Sequence, residues 1–459
     1  MEQITKPHCG ARLDRLPDCR WHSSMFAIVS FGLLVCWSNA VGGLILAQLK
    51  ALGWTDNSTT ATFSAITTAG MFLGALVGGI IGDKTGRRNA FILYEAIHIA
   101  SMVVGAFSPN MDFLIACRFV MGVGLGALLV TLFAGFTEYM PGRNRGTWSS
   151  RVSFIGNWSY PLCSLIAMGL TPLISAEWNW RVQLLIPAIL SLIATVLAWR
   201  YFPESPRWLE SRGRYQEAEK VMRSIEEGVI RQTGKPLPPV VIADDGKAPQ
   251  AVPYSALLTG VLLKRVILGS CVLIAMNVVQ YTLINWLPTI FMTQGINLKD
   301  SIVLNTMSMF GAPFGIFIAM LVMDKIPRKT MGVGLLILIA VLGYIYSLQT
   351  SMLLITLIGF FLITFVYMYV CYASAVYVPE IWPTEAKLRG SGLANAVGRI
   401  SGIAAPYAVA VLLSSYGVTG VFILLGAVSI VVAIAIATIG IETKGVSVES
   451  LSIDAVANK

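Results

Sequence analysis

Apolar residues in this chain gather into long unbroken runs rather than the short alternating or three-and-four patterns of half-buried strands and helices. Residues 23–49, 330–379 and 400–441 contain no Asp, Glu, Lys or Arg. A helix needs about 20 apolar residues to cross the hydrocarbon of a bilayer. With Gly, Pro and charge as punctuation, the pattern predicts twelve membrane helices: 23–49, 61–82, 89–108, 112–134, 147–172, 182–202, 266–293, 301–323, 330–348, 351–377, 391–413 and 418–440. Polar stretches then mark a tail over 1–22, a six-helix bundle over 23–202, a loop over 203–263, a second bundle over 264–440 and a tail over 441–459. The fold class is all-α and multi-pass. Good helix formers with alternating charge over Arg212–Met222 predict a short surface helix in the loop. The apolar run after the polar first 22 residues is too long for a signal-peptide core and reads as a retained anchor.

A charged phrase occurs twice. Asp83-Lys84-Thr85-Gly86-Arg87-Arg88 follows the second span, and Asp324-Lys325-Ile326-Pro327-Arg328-Lys329 follows the eighth, 241 residues later. Glu138 with Pro141 and Arg145-Gly146 is echoed by Glu380 with Pro383 and Arg389-Gly390, the Glu–Glu offset being 242. A fixed offset at matching helix ends argues for an internal duplication, and duplicated helix sets are the layout of transporters whose halves rock about a shared site. The acids at helix ends stand against recurring Arg, so Asp83, Arg87, Arg88, Glu138, Arg145, Asp324, Arg328, Glu380 and Arg389 are gate candidates. A single exposed ion pair contributes only about 0.2–1 kcal/mol, so such a gate works as a set.

Composition sharpens this picture. The chain is 56% hydrophobic and 12% charged, against roughly 25% charged in soluble domains. Its net charge of +9 is topological: Arg12, Arg15, Arg20, Lys84, Arg87, Arg88 and the basic stretch Arg207–Arg265 share one side of the predicted spans. By the positive-inside rule both termini and the loop are cytoplasmic, and nucleic acid is not the partner. Five of the seven cysteines lie within spans. Cys9 and Cys19 accompany His8 and His22, but their spacing matches no zinc pattern; no metal and no cofactor are expected. No phosphate-binding Gly-rich loop or nucleophile motif is evident, which argues against an enzyme and against ATP-driven pumping.

Charges inside spans are costly and mark function by default. Arg118 lies in the fourth span before Gly122, Gly124 and Gly126, and Glu95 and His98 share one face of the third. A snorkelling or structural role for the Glu95–His98 pair is the alternative. If protons are used, Glu95 and Glu138 are the carboxylates available to carry them. Amides and hydroxyls at helical spacing suit a hydroxyl- or carbonyl-rich solute: Asn39, Asn157, Asn277, Gln280, Tyr281, Asn285, Tyr372 and Asn395, with Trp158 and Trp286 able to stack on a ring. Helix-to-helix hydrogen bonding is the bland alternative for such residues. Arg118, Arg399 and Arg151 could attract a carboxylate.

These residues resemble the major facilitator superfamily. Gly79 to Arg88 is similar to that family's loop after the second helix, and Arg118-x-x-x-Gly122-x-Gly124-x-Gly126 to its fourth-helix signature. Pro203-Glu204-Ser205-Pro206-Arg207-Trp208-Leu209 and Glu442-Thr443-Lys444-Gly445 look like sugar-porter marks, which adds Glu204 and Arg207 to the gate. Pro379-Glu380-Ile381-Trp382-Pro383-Thr384 with Gly398-Arg399 and Pro406, and Tyr281 to Thr289, resemble organic- and aromatic-acid symporters. The chain departs from sugar porters at Met276-Asn277-Val278-Val279-Gln280, where a double Gln is usual. It departs again at Cys36-Trp37-Ser38-Asn39-Ala40, where a coupling acid is usual. The resemblance implies that Arg118 packs toward the first helix near Asn39, with Arg118 coupling. It implies a monomeric inner-membrane transporter for a sugar, sugar acid or other organic acid, with protons as co-solute. A gradient-independent facilitator and a transport-dead sensor are the alternatives.

Overall fold

The computed structural model describes residues 7–17, 19–33, 36–140, 145–240, 253–323, 325–383 and 386–444, and these contain helices but no strands. A short α1 (Cys9–Asp14) precedes the first crossing, whose described parts are α2 (Arg20–Leu33) and α3 (Trp37–Ala51). Next come α4 (Asn57–Thr85), α5 (Arg87–Ala106) and α6 (Met111–Tyr139). The fifth crossing is α7 (Arg145–Asn157) and α8 (Ser159–Leu170), separated at Trp158, and α9 (Ala176–Tyr201) is the sixth. The loop folds as α10 (Pro206–Ser211) and α11 (Tyr215–Thr233). The second half runs through α12 (Gly260–Thr293), α13 (Leu298–Met309), α14 (Gly311–Val322), α15 (Arg328–Ser347) and α16 (Met352–Val370). A π-helical turn over Cys371–Tyr377 leads into α17 (Val378–Glu380). The last element, α18 (Lys387–Ile439), carries two crossings that meet at Gly417, where φ is 64°. Ten described stretches are long and apolar enough to cross a membrane. One of them, Arg389–Ile439, holds two crossings, and α7 with α8 supplies the twelfth.

Contacts group the chain into two units. One takes in the described parts of Met1–Asn39, Gly70–Ser159 and Leu184–Gly246; the other those of Ala40–Ala69, Tyr160–Gln183 and Lys247–Lys459. In the first, α4 and α6 cross with backbones touching. A Cβ on Gly70 would lie 2.3 Å from the Phe119 carbonyl, one on Gly74 2.0 Å from that of Val123, and one on Gly126 2.1 Å from that of Met71. Helices in lipid associate through such close van der Waals contact, because the solvent offers no hydrophobic drive. The second unit repeats the device between α14 and α16. There a Cβ on Gly311 would lie 2.5 Å from the Phe360 carbonyl, and one on Gly315 2.2 Å from that of Thr364. Each of these four residues follows its first-half counterpart by 241 positions, so the duplication extends into the packing of the helices. Within the second unit, Gly43 of α3 meets the backbone of α12 at Ile284 and Asn285. The Asn305 side chain donates to Ser164 Oγ over 3.0 Å.

Residues 9–16, expected to lie in a polar tail, are folded onto the described part of the loop. Cys9, Leu13 and Leu16 are fully buried with Trp208, Leu209, Met222, Ile225 and Val229, the apolar faces of α10 and α11. Arg12 pairs with Glu219 and with Glu226 (2.7 Å), Arg15 with Glu226 (2.7 Å), and the Cys9 amide donates to Glu210 (2.7 Å). The surface helix predicted over 212–222 instead spans Tyr215–Thr233, because the apolar stripe that continues past Met222 is covered by this segment. Burial, reinforced by Glu210, pushes the Cys9 thiol up to about 12. The Arg12 hydrogen bond holds Glu219 below the usual range. Burial pushes Glu226 upward, but Arg12 and Arg15 outweigh it and leave it lowered. The docking these carboxylates contribute is present above the ordinary Glu range and is lost as pH falls through their lowered values. In a variant retaining Cys9 as its sole cysteine, Arg12→Ala is expected to raise maleimide labelling at neutral pH roughly tenfold, the effect of losing about 1.4 kcal/mol of docking. Unchanged labelling would mean that the ion pairs do not hold the segment down.

Candidate functional site

The duplicated phrases build a matching arrangement twice, in which one Glu caps a helix through backbone amides and a second Glu holds the Arg side chain. Gly86 has φ 97°, a conformation open to glycine, and a Cβ there would lie 2.2 Å from Glu204 Oε2. That approach lets Glu204 Oε1 accept from the amides of Arg87 (2.7 Å) and Arg88 (3.3 Å), capping α5 at its positive end. The Arg87 guanidinium then bridges Glu138 at the end of α6 (2.8 Å) and Asp83 at the end of α4 (2.7 Å). In the second half Glu442 Oε1 accepts from the Arg328 amide (2.8 Å), and its Oε2 from the Lys329 amide (3.1 Å). Arg328 donates to both oxygens of Glu380 (3.0 and 3.1 Å), and Thr443 Oγ1 donates to Glu380 Oε2 (2.6 Å). Burial pushes Glu204 above the usual range despite its backbone donors. Glu442 also feels burial, but the Arg328, Lys329 and Lys444 amides outweigh it and leave it lowered.

These ion pairs join helices of one half to each other. Asp324 and the Arg145 side chain lie outside the described residues. Arg88 donates to the Trp199 carbonyl, Arg207 pairs with Asp14 (2.9 Å), and Arg389 lies over the Tyr254 ring at 5.2 Å. Trp208 Nε1 (2.7 Å) and Arg212 (2.6 Å) donate to the Asp83 carbonyl, tying α10 to the end of α4 beside a cavity of about 390 Å³.

Deeper in the first unit, polar groups from four helices meet. Glu95 and His98 are completely buried, so a snorkelling role is ruled out: both point into protein, not lipid. His98 Nε2 lies 2.8 Å from Ser38 Oγ, and its Nδ1 is 3.4 Å from Ser191 Oγ and 3.8 Å from Glu95 Oε2. Arg118, 2% exposed, donates to the Ser38 carbonyl (2.8 Å). Ser38 thus touches two of the charged or titratable residues singled out from the sequence. Neither serine stood out in the sequence, since small polar residues in membrane helices are common. Gly124 permits the approach, its Cβ position lying 3.1 Å from His98.

The solute candidates are dispersed. Asn277 (5% exposed) and Asn285 (6%) are buried on α12, Gln280 and Tyr281 are half-buried, and Asn277 donates to the Leu273 carbonyl (2.7 Å). Gly398 and Gly402 of α18 pack on Asn277 and Tyr281. Between these glycines sits Arg399, whose Nη1 is buried without a hydrogen-bond partner among the described residues. Trp286 and Tyr372 are fully buried, the latter stacked on Tyr377 at 5.0 Å. Asn395 is exposed and bonds the Ser391 carbonyl; Asn157 bonds the Ser153 carbonyl; Trp158 is 36% exposed and Asn39 7%.

Residues 26–406 match the Major Facilitator Superfamily. The chain belongs to this superfamily. YdjK of Escherichia coli (strain K12) is 99% identical over 459 residues, all of both chains. The inner membrane metabolite transport protein YdjE of the same organism is 44% identical, covering 98% of this chain and 99% of its own. The niacin transporter NiaP of Acinetobacter baylyi (strain ATCC 33305 / BD413 / ADP1) is 26% identical over 96% and 99%. Among solved structures, the partially occluded inward-open xylose transporter XylE from E. coli superposes with a TM-score of 0.74 at 18% identity, covering 94% of this chain and all of that one. As a member of this superfamily the chain is a metabolite transporter of the inner membrane, not an enzyme.

Proposed function

We propose that this transporter carries a small carboxylate-bearing polar metabolite, a sugar acid or other organic acid, by alternating access with a proton, its charged end in the cytoplasm. The observation that carries the reading is Arg399. A guanidinium nitrogen buried without a partner is expensive, and this one lies in the turn of α18, Gly398 to Gly402, whose glycines pack against Asn277 and Tyr281. A carboxylate satisfies it with a charge-assisted bond, and the amide and phenol supply neutral hydrogen bonds to the rest of a polar solute. That a relative aligned over 96% of this chain bears the name of a niacin transporter supports an anionic solute.

The test is counterflow in proteoliposomes with nicotinate, benzoate and gluconate, each beside its uncharged counterpart nicotinamide, benzamide or glucose. At least one acid should exchange faster than its neutral partner. Arg399→Gln should lower that exchange roughly ten- to a hundredfold, the value of about 1.5–3 kcal/mol for a hydrogen bond to a charged group. Neutral solutes exchanging as well as the acids, or an unaffected Arg399→Gln variant, would overturn the reading.

A further inference from the structure

We infer that the proton site of this transporter is Glu95 on α5, served by His98 and read out through Ser38 of α3; this rests on the proton-coupled reading above. Glu138 cannot serve the same purpose while it holds Arg87 at 2.8 Å. Glu95 is completely buried and neither of its oxygens has a hydrogen-bond partner among the described residues. His98 Nδ1 stands 3.8 Å away, one small side-chain movement short of a hydrogen bond. Facing the pair, α9 contributes the Ser191 hydroxyl and no charge, α3 the Ser38 hydroxyl and no charge, and α6 the Arg118 guanidinium, which reaches the same Ser38 through its carbonyl. The step is a simple proton exchange. An O–H bond forms on Glu95 when a proton arrives, and breaks when it passes to His98 Nδ1, whose N–H then releases it; nothing is oxidised or reduced.

Ser38 makes this proton useful. Its hydroxyl faces His98 and its carbonyl faces Arg118, so a change of charge on the imidazole alters a contact made at the same residue of α3 that Arg118 holds.

The experiment compares wild type, Glu95→Gln, Glu95→Asp and His98→Asn in proteoliposomes with nicotinate, benzoate and gluconate. A pH gradient of one unit supports about tenfold accumulation per proton carried. Wild type should reach it, Glu95→Gln should fall to equilibration while keeping counterflow within about twofold, and Glu95→Asp should restore part of the accumulation. Accumulation by Glu95→Gln equal to wild type, or wild-type counterflow with no solute-dependent proton uptake, would sink the assignment and leave the carboxylate reading standing. If no acid exchanges in wild type, the carboxylate reading fails, and infrared titration of the reconstituted protein decides this one. A protonated-carboxyl C=O band lost in Glu95→Gln, with its titration moved by His98→Asn, supports the assignment. An identical spectrum in wild type and Glu95→Gln refutes it.

Discussion

Gly74→Val is expected to leave almost no folded protein in the membrane. A Cβ at this position would stand 2.0 Å from the Val123 carbonyl oxygen, and the obstacle is backbone, which cannot rotate aside. Accommodating it means parting α4 and α6, which also loses the contacts at Gly70 and Gly126. Ordinary overpacking costs about 1–3 kcal/mol; separating two helices along several turns costs more, because packing is what joins helices in lipid. Gly315→Val should do the same to α14 and α16, where the Thr364 carbonyl oxygen lies 2.2 Å from the added Cβ. Gly79→Val is the control, for nothing lies within 4 Å of its Cβ position. Size-exclusion profiles and thermal unfolding in detergent check all three. A sharp, wild-type-like peak and Tm for Gly74→Val would show that the crossing is looser than described.

The second large effect is expected at Arg328. Its side chain is 7% exposed and binds both oxygens of Glu380. Removing one partner of a fully buried pair costs about 3–5 kcal/mol. Glu380 is 35% exposed, so solvent reduces the figure to about 1–3 kcal/mol, and transport should fall roughly ten- to a hundredfold. Arg328→Lys should recover little, since an ammonium cannot reproduce the planar two-point fit. The sequence alone ranks Asp83 beside Arg87 in the first gate, but the Asp83 side chain is 64% exposed. Asp83→Asn should therefore cost under about 1 kcal/mol. Initial uptake rates, with cysteine accessibility from each side, measure the contrast; equal losses in Arg328→Ala and Asp83→Asn would refute it.

How far the chain could be read depends on the range of each interaction. Apolar runs and helix-end charges are local, so the twelve crossings and the charged helix ends could be placed from the sequence, but its spacing sets Glu138 beside Arg145 and Glu380 beside Arg389, whereas the described ion pairs join Glu138 to Arg87 and Glu380 to Arg328. The matching of Gly70 and Gly74 with Gly311 and Gly315 was present at the same offset, yet glycines say nothing about their neighbours until two helices meet. Breaks at Trp158 and Phe310 fall inside the predicted spans 147–172 and 301–323, with no charge cluster to mark them. Periodicity put Glu95 and His98 on one face of α5 but could not say whether that face meets lipid or α3, α6 and α9. The docking of Cys9, Leu13 and Leu16 on a partner some 200 residues away lies furthest beyond reach, since polar flanks conceal three apolar side chains.

The widened turn over Cys371–Tyr377 carries a mechanical consequence. An α-helix that already holds one surplus residue in a loop of backbone can hand it to the adjacent turn by exchanging hydrogen bonds one at a time, as a ruck travels along a carpet. Each such step swivels everything beyond it by the angle of a single residue. The Glu380 carboxylate, fastened to Arg328 just past the ruck, is the natural anchor against which that swivel would be felt.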